Sequence, residues 1–150
     1  MSQPLALRLL HEEHECIDRL LGQLMAQEGD LDQARQSLQD ALMRHMSVEE
    51  QVFYPALERL EMLASFVARL RDQHARLRQA MADLIACNLA DRVRFSSAVT
   101  HVDRLYDEHV EDEEGRGFAY AMEHLASELD ALVVEMEHCR SAARGASGVG

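Results

Sequence analysis

The chemistry in this chain is concentrated in two short runs, His45-Met-Ser-Val-Glu49 and His109-Val-Glu-Asp-Glu113. Each sets a histidine and a glutamate four residues apart. On a helix that spacing stacks both side chains on one face, with Cβ atoms about 5–6 Å apart, where a neutral imidazole and a carboxylate can reach one metal ion. One such pair arises readily by chance in a chain rich in Glu and His. Two pairs ask for a common cause, and two further histidines point to it. His14 fills the gap between Leu10 and Ile17 in a stripe that otherwise runs Leu7, Leu10, Ile17, Leu21, Leu24. His74 does the same between Leu70 and Leu77 in the stripe Val67, Leu70, Leu77, Met81, Leu84. Steps of three and four residues are the seam of a helical bundle.

Six polar residues, His14, His45, Glu49, His74, His109 and Glu113, therefore fall in one layer of the expected core. Without partners their burial would cost several kcal/mol, most of it on the carboxylates. A metal site removes that conflict. A polar core satisfied without metal is the bland alternative, but every polar seam position here is a ligand type at ligand spacing. Four imidazoles and two carboxylates would crowd one ion and suit two. Symmetry gives His14 and His45 to one ion and His74 and His109 to the other, with both glutamates bridging. Four ligands per ion leave positions for solvent, an oxo bridge, or a small molecule such as dioxygen, nitric oxide or peroxide. The donor set suits iron and is also accepted by manganese, zinc and copper, so spacing alone does not choose the metal.

The elements that must carry these residues follow from the same pattern. The first helix is expected from about Pro4 to Gln27, ended by Gly29. A second starts with Asp30 and Gln33 as a capping box and carries Leu38, Leu42, His45, Glu49, Val52 and Phe53 on one stripe. Pro55 predicts a kink or an end near Phe53–Tyr54, followed by a short segment to Met62. The third helix covers about Leu63 to Cys87 and the fourth about Asp91 to Glu114, where Gly115 and Gly117 interrupt the pattern. A last helix, about Phe118 to Ala143, carries Met122, Leu125, Leu129, Leu132, Val133 and Met136. Residues 144–150 read as a disordered tail. The halves repeat: with His14 set on His74, Leu10 meets Leu70, Ile17 meets Leu77, Leu21 meets Met81 and Leu24 meets Leu84, and His45 aligns with His109 as Glu49-Glu50 does with Glu113-Glu114. Two such hairpins packed about a pseudo-twofold axis make an all-α, up-down-up-down four-helix bundle with an additional C-terminal helix. The expected layout is one domain over residues 1–143, with the metal-binding bundle at about 5–118.

Composition agrees with that architecture. The chain has 150 residues, 47% of them hydrophobic and only 5% aromatic, with 2 Pro and 7 Gly, so it is globular and rich in helix formers. A formal net charge of −12 argues against nucleic acid and against an anionic membrane surface. Cys16, Cys87 and Cys139 are odd in number and scattered, with no CxxC, which reads as a reducing cytoplasm. The first ten residues lack the pattern of a signal peptide, and no apolar run approaches a membrane span.

At this point the chain resembles the hemerythrin-like, or HHE cation-binding, domain family. The family pattern stands as His14, then His45-Met-Ser-Val-Glu49-Glu50-Gln-Val-Phe-Tyr-Pro55, then His74, then His109-Val-Glu-Asp-Glu113-Glu114, over about Leu7 to Phe118. The resemblance implies a non-haem di-iron centre, oxo- or hydroxo-bridged, in a four-helix bundle. Two departures stand out. Oxygen carriers of the family place a further histidine one turn after the third, where this chain has Arg78. They also have a longer His-to-Asp spacing on the fourth helix, where this chain has His109 to Glu113. Both point away from simple oxygen carriage and toward members linked to iron or oxygen sensing and nitric oxide defence. The extra domains that accompany the nitrosative-repair and ubiquitin-ligase members are not expected from these 150 residues.

The leading expectation is therefore a protein that binds or senses dioxygen, nitric oxide or iron itself. The competing readings are a di-iron enzyme (oxidase, peroxidase or nitric oxide reductase), whose electron donor the sequence does not name, iron storage, and a structural zinc site. Among secondary residues, Tyr106 is expected in core packing or near the metal layer, with Tyr54 a weaker candidate for the same place. Glu50 or Glu114 is expected to hold a ligating histidine. His11, His101, His124 and His138 read as surface or boundary residues, His11 with a lesser claim on the metal's surroundings. Met25, Met43 and Met46 fill gaps, Cys16 packs, and Glu12, Glu13 and Glu15 face solvent. The apolar stripe of the last helix either packs along the bundle or forms a homodimer surface.

Overall fold

The computed structural model describes residues 2–147, with side chains through Ala143. Among the described residues the chain is helical, with no strand. Helix α1 (Leu5–Met25) follows Pro4, as a proline without a needed N–H allows. It ends at a turn in which Gln27 and Gly29 both take positive φ, 53° and 72°. Asp30 then caps α2 (Leu31–Val48) by accepting the Gln33 N–H at 3.0 Å. The reciprocal half of the expected capping box does not form: the Gln33 side chain reaches Ser37 instead.

The chain does not stop at Glu49. It passes through a π-helical turn, Glu49–Phe53, into α3 (Tyr54–Glu58), so Pro55 sits in the first turn of a continuing rod. A short 3-10 turn, Glu61–Leu63, leads into α4 (Ala64–Ala86). Asp91 caps α5 (Arg92–Asp112) through the Arg94 N–H. The same event then recurs: a π-helical turn, Glu113–Gly117, runs into α6 (Phe118–His124). Gly115 and Gly117 thus lie inside a continuous rod, and the break expected before Phe118 comes at Leu125. Helix α7 (Leu129–Ser147) follows. It runs past the expected end at Ala143; the last of the expected tail, residues 148–150, lies outside the described residues.

Rods α1, α2–α3, α4 and α5–α6 make the up-down-up-down bundle, with α1 against α2 and α4 against α5 as the largest contacts. Helix α7 lies against α1, α2 and the first π turn. Its Leu129, Leu132 and Met136 are buried with Leu7, Leu10 and Phe53, so its stripe packs along its own bundle.

The core is divided. Leu7, Leu10, Val48, Phe53, Val67, Leu70 and Phe118 belong to one apolar cluster, and Ile17, Leu21, Leu42, Leu77, Met81 and Tyr106 to another. Each rod changes cluster where its histidine stands. The seam is apolar above and below, and one polar layer separates the two parts.

Candidate metal centre

All six expected residues lie in that layer, each no more than 2% exposed. His14 comes from α1, His45 from α2, His74 from α4 and His109 from α5, while Glu49 and Glu113 open the two π turns. Their ligand atoms form two overlapping groups, His14–His45–Glu49–Glu113 and Glu49–His74–His109–Glu113, each within 4.8 Å. This is the pairing that symmetry suggested, with both glutamates shared. Glu113 spans the two halves: Oε1 is 3.0 Å from His14 Nε2 and Oε2 is 3.3 Å from His109 Nε2. Glu49 Oε1 lies 2.7 Å from His45 Nε2 and 3.3 Å from His74 Nε2.

The π turns do this positioning. In each, the residue five after the glutamate returns its N–H to the glutamate carbonyl, Tyr54 to Glu49 and Phe118 to Glu113. The extra residue per turn brings position i+5 to where i+4 would fall in an α-helix. Pro55 is not the common cause, because Ala119 holds its place in the other half. What the two turns share is a glutamate that belongs to both groups.

The four Nε2 atoms face inward and the four Nδ1 atoms face outward, each toward a side chain from another part of the chain. His14 Nδ1 is 2.7 Å from Glu114 Oε2, and His45 Nδ1 is 3.3 Å from Glu13 Oε1. His109 Nδ1 is 2.9 Å from Gln73 Oε1, and His74 Nδ1 is 3.5 Å from Glu50 Oε2. An acceptor on Nδ1 fixes the tautomer that leaves Nε2 free to bind a cation. These acceptors have holders of their own: His11 on Glu114, Arg140 on Glu13, Arg78 on Glu50, and Asp112 on Gln73. Glu114 therefore acts as the sequence suggested, while Glu50 stands behind His74 at 3.5 Å without a hydrogen bond. Glu13 does not face solvent as expected; it is half-buried on His45. Gln73 was not anticipated. The signal for both was present, since each directly precedes a core histidine and the two are equivalent by the repeat.

Of the two tyrosines, Tyr106 takes the core-packing place expected of it, and the weaker candidate, Tyr54, is the one that reaches the layer. Tyr106 donates its hydroxyl to the His14 carbonyl oxygen at 2.7 Å and packs in the core. Tyr54 reaches the layer, donating to Glu113 Oε2 at 2.6 Å with its oxygen 3.1 Å from His74 Nε2. Its equivalent, Phe118, stacks beside His14 with ring centroids 6.3 Å apart. An unbroken α-helix would turn position 54 away from Glu49, and the π turn brings it round. His101, His124 and His138 are exposed, as expected.

Several atoms in the layer are buried with no hydrogen-bond partner: Nε2 of His14 and of His45, both oxygens of Glu49, and Oε1 of Glu113. These are the lone-pair atoms that a cation would take, which fits the donor set to metal. The carboxylates also act on the protons of the layer. Burial pushes the His109 imidazole down, but Glu113 and Glu49 outweigh it and raise its pKa to about 9. His45 is raised for the same reasons by Glu49 and Glu13, while Glu49 is held well below the usual carboxylate range against its own burial, chiefly by His45. Burial and the nearby Glu113 and Glu49 push the Tyr54 phenol well up.

A sequence model of the hemerythrin HHE cation-binding domain matches residues 5–121. The chain belongs to that family. The matched span contains all six layer residues and every Nδ1 acceptor, but not α7. No curated protein and no solved structure shows a significant match to the chain. For an HHE domain, a buried His/Glu cluster of this form is compatible with metal binding. Among the described residues no helix is long and apolar enough to cross a membrane, and all three cysteines are free.

Proposed function

We propose that this HHE domain holds two iron ions, with His14, His45, His74 and His109 as terminal ligands and Glu49 and Glu113 shared between them, and that it binds or senses a diatomic gas there. One observation carries the reading: five unpartnered lone-pair atoms from four residues converge in a layer that is otherwise closed. Two irons with open positions would supply one- and two-electron chemistry toward dioxygen or nitric oxide. The protein's own part is to orient four imidazoles through their Nδ1 acceptors and to surround the layer with two apolar clusters that exclude bulk water.

A di-iron enzyme is the second reading, favoured by Tyr54. Its buried hydroxyl is a proton donor within the layer, which a passive binder does not need. The test is metal content together with anaerobic and aerobic optical spectra of protein purified under reducing conditions. Two irons per chain, with near-ultraviolet bands that appear in air and reverse on degassing, support binding. Sustained consumption of oxidant with an added reductant supports turnover. Zinc alone, or no spectral change after ferrous reconstitution, overturns both.

A further inference from the structure

The two halves of the layer differ in how their histidines are backed, and this inference rests on the metal reading above. In the His14/His45 half both Nδ1 atoms meet carboxylates in hydrogen bonds, Glu114 at 2.7 Å and Glu13 at 3.3 Å. In the His74/His109 half neither has an equal partner. His109 meets a neutral amide, Gln73 Oε1. His74 Nδ1 is without a hydrogen bond, 3.5 Å from Glu50. Two residues account for this. Gln73 stands where the repeat has Glu13, so the nearest carboxylate, Asp112, is one side chain further out and is itself paired with Arg69 and Arg116. Arg78 takes both oxygens of Glu50, whereas the Glu114 oxygens go to His11 and His14 and Glu13, although Arg140 pairs with both of its oxygens, keeps its hydrogen bond to His45.

We infer that Gln73 and Arg78 make the His74/His109 position the weaker of two unequal metal positions, so that the chain fills His14/His45 first. A carboxylate on Nδ1 makes the imidazole more basic and holds its orientation, and losing such a partner typically lowers metal affinity about 10–100-fold. The Arg78 side chain is 41% exposed, so replacing it removes the pull on Glu50 while leaving the core intact.

The experiment is anaerobic titration of chelator-stripped protein with cobalt(II), followed by visible absorption and calorimetry. The wild type should take up two equivalents in two steps about 10–100-fold apart. His74→Ala should remove the weaker step and His45→Ala the tighter one. Gln73→Glu paired with Asp112→Asn moves the negative charge onto His109 and keeps a donor between positions 112 and 73; it should narrow the gap, as should Arg78→Gln. Far-ultraviolet dichroism of each variant confirms that it is folded. Two equivalents of equal affinity in the wild type would overturn the inequality while leaving the two-ion centre standing. No uptake at all would overturn the centre itself. If Tyr54→Phe alone merges the steps, the inequality belongs to the phenol and not to Gln73 and Arg78.

Discussion

Removal of one buried hydroxyl, by Tyr54→Phe, tests the layer without requiring any metal. The hydroxyl donates to Glu113 Oε2 at 2.6 Å, inside a site with no exposed surface on either residue. A hydrogen bond to a charged partner contributes about 1.5–3 kcal/mol. The steric term is small, since the ring is retained and Phe118 already holds the equivalent place in the other half. For a chain of this length 1 kcal/mol moves the melting temperature by about 2–4 °C. At about 2 kcal/mol the variant should melt roughly 4–8 °C lower than the wild type, read by circular dichroism at pH 7 with chelator present. Metal should shrink the difference, because a cation on Glu113 supplies the positive partner that the hydroxyl otherwise provides. An unchanged melting temperature in the chelated protein would show that the Tyr54–Glu113 bond does not form, and with it would go the argument that the π turn aims position 54 at the centre.

The remaining expectations concern ligands, protons and the π turns. His45→Ala and His109→Ala should each lower metal content and melting temperature together; full metal in both, by elemental analysis, would mean that the ligands lie elsewhere. The metal-free protein should lose stability as pH rises. His109 has a folded pKa of about 9 against 6.5 unfolded, so its contribution of about 3 kcal/mol is complete below pH 6.5 and gone above pH 9. A melting temperature that stays level from pH 6.5 to 9.5 with chelator present would refute this, and loading with metal, which replaces the protons, should flatten the profile. Gly115 is exposed and a Cβ there meets nothing within 4 Å, so Gly115→Ala should stabilise by about 0.5–1 kcal/mol. A loss instead, measured by urea unfolding, would show that the second π turn depends on glycine.

Much of this protein follows from local spacing. Helical period decides that His14, His45, Glu49, His74, His109 and Glu113 share faces with leucine seams, and the repeat decides that they share a level. The apolar stripes name four helices, and the polar interruptions name the residues of the polar layer, because a short-range period places side chains on a rod without reference to any partner. What depends on contacts between rods was out of reach. Glu13 reads as a surface residue on its own helix until α2 brings His45 alongside and α7 brings Arg140, 127 residues away, onto the same carboxylate. Tyr54 reads as off-axis until the turn at Glu49 widens by one residue. Pro55 and Gly115 looked like stops, yet both rods continue, since a turn that aims a bridging carboxylate inward can be held by packing on either side. The stripe of α7 could have faced solvent, a second copy or its own bundle; the groove beside α1 and α2 decided, through Leu7, Leu10 and Phe53. Sequence determined which side chains carry the chemistry, and tertiary structure decided what stands behind each of them.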